Sequence, residues 1–208
     1  MTAAEDRSQS LPDAAATAFE TNDAMVPTDP SSDAAASGVA AGAAGAAAAV
    51  DGPAYAVEST AFDAVVTATP SDGVGHRYEV VVQIPSLDAA TADHVGPAVQ
   101  SGWFETMERR LAEAPKATRA TVDLSQFRLA TVEDAEALRV TYAFEYGDAD
   151  RAATIAKTFV EYVEGTYVES TIPGYEYEDA VGDLLATATG TGGAAGDGPG
   201  GTGGSTPL

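Results

Sequence analysis

Leu138-Arg139-Val140-Thr141-Tyr142-Ala143-Phe144-Glu145-Tyr146, followed at once by Gly147-Asp148 and then by Ala149 to Tyr167, decides the fold of this chain. In the first part Leu138, Val140, Tyr142, Phe144 and Tyr146 recur at every second position, with Arg139, Thr141 and Glu145 among the residues between them. This period of two predicts a strand with one buried face. Gly147-Asp148 breaks the alternation, and Asp148 is suited to cap a helix. The second part changes period: Ala152, Ile155, Ala156, Phe159 and Val163 share one helical face. A one-faced strand turning into a one-faced helix predicts a sheet with helices stacked on it.

Upstream, Ala120, Val122 and Leu124 alternate with Thr121, Asp123 and Ser125, predicting a strand that continues through Phe127 and Leu129. Trp103, Phe104, Met107 and Leu111 mark one face of a helix over 101–114, stopped by Pro115, with Ser101 as its cap. Glu105 and Arg109 stand in the favoured i,i+4 order on it. Leu87–Val95 reads as a short helix that Gly96-Pro97 breaks. Three strands, Tyr55–Ser59, Phe62–Thr69 and His76–Ile84, read as an antiparallel meander with one buried face. Ser10 and Asp13 resemble a capping box opening a short helix with Leu11, Ala15, Ala18, Phe19 and Met25 on its stripe. Downstream, Ile172-Pro173-Gly174 ends the long helix, and Asp179–Ala186 forms a last one.

The predicted order is α-βββ-α-ββ-α-α. The fold class is α+β, a five-stranded antiparallel sheet with helices packed on one face. Residues 1–26 are expected to be an N-terminal segment whose short helix docks on the domain, and 27–52 a disordered Ala/Gly-rich insertion. A single α+β domain is expected over 53–187, with a disordered Gly-rich tail over 188–208.

Charge narrows the setting. The chain carries 32 acidic residues against ten basic ones, a formal net charge of -22. The excess belongs to the folded part, since residues 53–188 hold 23 of the acids and nine of the bases. Like charge of this density destabilises a compact state at ordinary ionic strength. At molar salt the Debye length falls to about 3 Å, and most of that cost disappears. A high-salt cytoplasm suits this composition best; an ordinary acidic protein and a binder of basic partners are the other readings. Nucleic acid is a poor partner, because its phosphates need a basic surface. The absence of cysteine rules out disulfides and thiolate metal sites. The N-terminus lacks the pattern of a secretory signal, and the longest apolar run, Val39–Val50, is too short for a membrane span. A cytoplasmic, membrane-free location is expected.

No catalytic motif stands out. His76 and His94 could join Asp72 or Asp93 on a metal, yet no His-x-x-x-His or Glu-x-x-His spacing supports it. No serine sits in a Gly-x-Ser-x-Gly turn, and no phosphate-binding loop occurs. Catalytic, cofactor-binding and metal-binding residues are therefore all expected to be none. The most distinctive cluster is Tyr162, Tyr167, Tyr175 and Tyr177 among glutamates, with Trp103 on the other helix. These five are the candidate interaction surface, since tyrosine and tryptophan are enriched at interfaces. The competing reading packs the tyrosines between helix and sheet and Trp103 into the core.

Gly102–Ala114 (GWFETMERRLAEA) and Phe159–Leu185 (FVEYVEGTYVESTIPGYEYEDAVGDLL) resemble an uncharacterised haloarchaeal protein family, a domain of unknown function. The resemblance covers most of residues 10–187 and implies a halophilic source. It implies no activity and carries over no catalytic residue. The element order separately resembles type III secretion chaperone-like domains. The function expected is a non-catalytic protein-interaction or chaperone-like domain, with a protein partner or a second copy of itself. The alternative is a small enzyme or small-molecule-binding regulatory module using carboxylates and His76 or His94.

The charge argument makes one prediction. Lowering KCl from molar to about 0.1 M should cost several kcal/mol of stability through unscreened repulsion, read as a fall in Tm. A Tm that stays flat across this range contradicts it.

Overall fold

The computed structural model describes residues 11–28, 46, 53–73, 75–132 and 136–193, with side chains placed through residue 188. In chain order the elements are α1 (Asp13–Thr21), β1 (Met25–Thr28), β2 (Ala54–Val57), β3 (Asp63–Pro70) and β4 (His76–Pro85). They continue with α2 (Pro97–Leu111), a 3-10 turn (Ala114–Ala117), β5 (Leu124–Val132), β6 (Ala137–Tyr146), α3 (Ala149–Glu169) and α4 (Asp179–Gly193). The strands form one antiparallel sheet in the order β1-β2-β3-β4-β6-β5.

The stretch that opens the sequence reading behaves as its period requires. Leu138, Val140, Tyr142 and Phe144 are buried on one face of β6. Asp148 accepts a hydrogen bond from the Arg151 amide at 3.0 Å and caps α3. Phe159 on α3 meets Tyr142 and Phe144 at ring separations of 5.0 and 5.5 Å. The ring contacts continue across the sheet, through Tyr78 stacked on Phe144 and Phe19 of α1 on Tyr78 and Tyr55. One chain of aromatic contacts therefore ties α1, β2, β4, β6 and α3 into a single core.

The sheet has six strands, not five, and the order becomes α-ββββ-α-ββ-α-α. The added strand is β1. Met25 had seemed the end of the first helical stripe, but it is buried as the first residue of β1, paired with Val57. Pro27 hid the strand because proline cannot donate to a ladder. At a sheet edge that defect is harmless.

Helices on one face is also an incomplete description. Val65 and Val81 point away from the α1–α3 layer and are buried as well, in a small cluster with Ala54 and Ala46. Ala46 is helical. The meander is thus covered on both faces at its centre, which explains why Ala64 to Ala68 are all buried. Pro27 and Thr28 belong to β1; apart from these and Ala46, the stretch 27–52 lies outside the described residues. Of the stretch 188–208, α4 extends to Gly193, and the remainder lies outside the described residues.

Two helix starts, and one expected helix, differ from expectation. Pro12, not Ser10, precedes α1, and no side chain caps it; Ser10 lies outside the described residues. Gly96-Pro97 opens α2 instead of merely ending a helix before it, since the fixed φ of proline suits the first helical position. Ser101 is consequently inside α2. Leu87–Val95 is a set of turns, held by the Val95 amide donating to Asp88 Oδ1 at 2.6 Å. An isolated bridge from Thr91 to Tyr177 joins this segment to the approach to α4.

β5 explains a change of parity in the sequence. Leu124 belongs to the even-numbered apolar set, whereas Phe127 and Leu129 are odd. A bulge between Leu124 and Gln126 inserts Ser125 as an extra residue and returns the apolar side chains to the helix-covered face.

Gly75, just before β4, has φ of +122°, and a Cβ there would lie 2.2 Å from the Tyr146 carbonyl oxygen. Gly75→Ala should destabilise the fold by about 1–3 kcal/mol, measured by denaturant unfolding in molar KCl. An unchanged midpoint would show that the β4 entry relaxes freely.

Candidate interaction site

The tyrosine and tryptophan side chains do several different jobs. Trp103 of α2 is buried, and its indole N–H donates to the Ser170 carbonyl at the C-terminus of α3, 3.0 Å away. In return, the C-terminus of α2 is served by other elements. Tyr142 of β6 donates to the Leu111 carbonyl at 2.9 Å, and Tyr162 of α3 donates to the Arg110 carbonyl at 3.1 Å. Carbonyls in a last helical turn lack intrahelical partners. Trp103 and Tyr142 supply them from across the core, while the exposed Arg110 carbonyl takes Tyr162 in addition to the Glu113 amide at 2.9 Å.

Tyr167 packs edge-on against Phe62 and Trp103 at ring separations of 5.1 and 5.5 Å. It is 1% exposed, and its buried hydroxyl has no hydrogen-bond partner among the described residues. Burial, with a smaller contribution from Tyr177, holds its phenol well above the usual tyrosine range. Tyr142 is raised for the same first reason, burial, with Tyr162 adding to it. Tyr177 accepts a hydrogen bond from the Ile172 amide at 2.6 Å and, like Tyr175, is half-buried. Of the five candidates, then, Trp103 and Tyr167 are core, Tyr162 is a half-buried clamp, and Tyr175 and Tyr177 help close the chain beyond α3. The structure does not bring them together on one open face.

Trp103 nevertheless forms one wall of a groove of about 410 Å³. The rest is built from Gln100, Ser101, Phe104 and Glu105 of α2, Ser86 and Asp88 after β4, Thr131 and Leu138 at the β5–β6 end, and Glu136. Three carboxylates and two aromatic rings face this space without any basic group in the lining. Glu136 itself has φ of +51°, in the left-handed region that a glutamate seldom adopts.

The groove lies beside a sheet edge. β5 is nine residues long and pairs only with β6. Among the described residues, no backbone hydrogen bond closes its outer side. Arg77 reaches over to Ser125 Oγ at 2.9 Å, near the bulge, while the Leu129–Val132 end remains open beside the groove. Sequence reasoning named Phe104 but did not connect it to a groove or to this edge. The signal available was the β5–β6 hairpin itself, after which no strand follows among the described residues.

The two histidines stand beyond opposite ends of β4. His94 pairs with Asp88 Oδ1 at 2.9 Å and is largely exposed, and His76 opens the strand. A strand of this length separates its ends by about 30 Å. They cannot share one site. Among the described residues, no three histidine or carboxylate groups gather as a metal site would require. Asp63, raised by burial, lines an adjoining hollow with Glu178, Asp179 and Glu136, the last shared with the groove, and no histidine lines it. Glu105 and Arg109 form no ion pair; among the described residues the Lys and Arg pairs are Lys116–Glu113, Arg151–Asp148 and Lys157–Glu161, all within one turn along the chain. No described helix is long and apolar enough to cross a membrane.

The chain belongs to DUF5813, a family of unknown function, whose sequence profile matches residues 43–187. The match begins ahead of β2, takes in Ala46, and ends within α4. No curated protein and no solved structure matches the chain.

Two hydroxyl deletions separate the capping role from mere packing. Tyr142→Phe should cost about 1–3 kcal/mol, because it leaves the buried Leu111 carbonyl unpaired. Tyr167→Phe should be neutral or stabilising, because it removes a hydroxyl that has no partner. Denaturant unfolding of both variants checks the contrast, and equal losses would refute it.

Proposed function

We propose that this DUF5813 protein is a non-catalytic interaction domain of a salt-rich cytoplasm, and that it captures an extended segment of a partner protein along β5. The observation that carries this reading is the open Leu129–Val132 edge lying beside a groove with aromatic walls and an acidic lining. An added strand gains affinity from main-chain hydrogen bonds, and alternate side chains supply specificity by entering pockets. Next to this edge, such side chains would meet Trp103, Phe104, Glu105 and Glu136. The complementary ligand is a segment with apolar and basic side chains, the basic heads lying against the carboxylates and their stems or rings against the aromatics.

The rest of the surface favours an edge over a broad apolar face. Among the described residues, the exposed large hydrophobic side chains are Val26 and Val99 alone. A chaperone-like role fits the same edge, since a client strand adds to it without a large apolar patch. A second copy of the chain is the competing occupant, pairing β5 with β5 across a two-fold axis. The enzymatic alternative draws only on the Asp88–His94 pair at the groove rim, where the imidazole is 80% exposed and does not line the groove.

Random linear peptides selected against the protein in molar KCl provide the test. Bound peptides should carry basic and apolar residues in alternation, and should slow amide hydrogen exchange over residues 124–132. Thr131→Arg, which fills the groove at an exposed position, should weaken binding at least tenfold while leaving Tm unchanged. Protection appearing elsewhere, or binding indifferent to Thr131→Arg, would sink the proposal. A concentration-dependent dimer with the same protected amides in the absence of peptide would identify the second copy as the occupant.

A further inference from the structure

Basic residues are scarce here, ten against 32 acids, so the place where two of them share a cavity is informative. Arg119 and Arg151 both line a groove of about 580 Å³ between the segment after the 3-10 turn and the first half of α3. The remaining walls are Ala117, Thr118, Ala120, Thr154, Ile155 and Thr158, with no carboxylate among them. Among the described residues, no acid lies within ion-pair distance of Arg119. Arg151 has one such contact, Asp148 at 3.9 Å, the longest ion pair among the described residues. The neighbouring lysines differ: Lys116 is paired with Glu113 at 2.5 Å and Lys157 with Glu161. With carboxylates in such surplus, two guanidinium groups facing one cavity and leaving it free of acids is an arrangement that an anion from outside would complete.

We infer that this groove binds a small hydroxylated anion, a phosphate or carboxylate ester or acid bearing hydroxyl groups. The guanidinium forks of Arg119 and Arg151 take the charged group, since their planar donors match two anionic oxygens at once. The threonines define the rest of the ligand. Thr154 donates to the Asp150 carbonyl at 3.0 Å, Thr158 to the Thr154 carbonyl at 2.9 Å, and Thr118 to the Ala120 carbonyl at 2.6 Å. With their protons committed to the backbone, these hydroxyls present lone pairs and accept from a ligand donor. Ile155, 3% exposed, supplies an apolar floor for the ligand's carbon skeleton. This site lies apart from the β5 groove and shares no residue with it.

Glycerol 3-phosphate, inorganic phosphate and glycerol, titrated separately by NMR at constant molar KCl, test the inference. Glycerol 3-phosphate should perturb the Arg119 and Arg151 side-chain Nε–H signals and the amides of 117–120 and 151–158. It should bind more tightly than phosphate, and glycerol should not bind. Arg119→Ala and Arg151→Ala should each weaken binding at least tenfold, whereas Lys116→Ala should not. Thr154→Val should erase the preference for glycerol 3-phosphate over phosphate. The inference fails if no anion perturbs these residues, if neither arginine variant changes the affinity, or if phosphate binds as well as its glycerol ester.

Discussion

The reciprocal capping of α2 and α3 is the constraint on which the rest of the structure depends. Each helix ends at the core's margin, where its last carbonyls run out of i+4 amides; the Ser170 and Leu111 bonds are buried, while the Arg110 carbonyl is exposed and also accepts from the Glu113 amide at 2.9 Å. Trp103 of α2 serves Ser170 at the end of α3, while Tyr162 of α3 and Tyr142 of β6 serve Arg110 and Leu111 at the end of α2. An unpaired buried carbonyl costs about 1–3 kcal/mol, so this reciprocal arrangement specifies the angle and offset of the two helices more tightly than apolar packing alone. The position of α2 then sets the groove. Phe104 and Glu105 follow Trp103 directly, so fixing the indole on Ser170 also fixes the wall that faces Thr131 and Leu138.

Electrostatics acts on a different scale. Among the described residues, the ion pairs involving lysine or arginine all lie within one turn of chain and between partly or fully exposed side chains, where each contributes little. They do not neutralise a chain of this charge. The described fold is instead held by aromatic contacts and paired carbonyls, neither of which requires a partner of opposite charge. Against that background the acid-free groove at Arg119 and Arg151 is an electrostatic exception.

Much of the architecture was legible because it is written in local periods. The stripes on β4, β6, α2 and α3 each repeat at a spacing that identifies the element and its buried face together. The failures occur where a local rule met an unusual position. Pro27 argues against a strand anywhere but at an edge, and β1 is an edge. Gly96-Pro97 marks an end by one rule and a beginning by another. At β5 the apolar residues change parity, which reads as a flaw in the strand until the bulge at Ser125 accounts for it. The tyrosine cluster was conspicuous in the sequence, but composition cannot distinguish a hydroxyl that caps a distant carbonyl from one that greets a partner.

The sequence by itself determined the α+β class, the antiparallel meander, the two long helices and the excess of negative charge. These depend on spacing along the covalent chain and on composition, both of which are present before folding. Only the tertiary structure decided that β5 is an edge among the described residues, that Val65 and Val81 are covered on the second face, and that the Tyr142 hydroxyl pairs with Leu111 while that of Tyr167 finds no described partner. It also decided that Arg119 and Arg151 meet across one groove. Each of these depends on which remote backbone or side chain arrives at a given place, and no local period encodes that arrival.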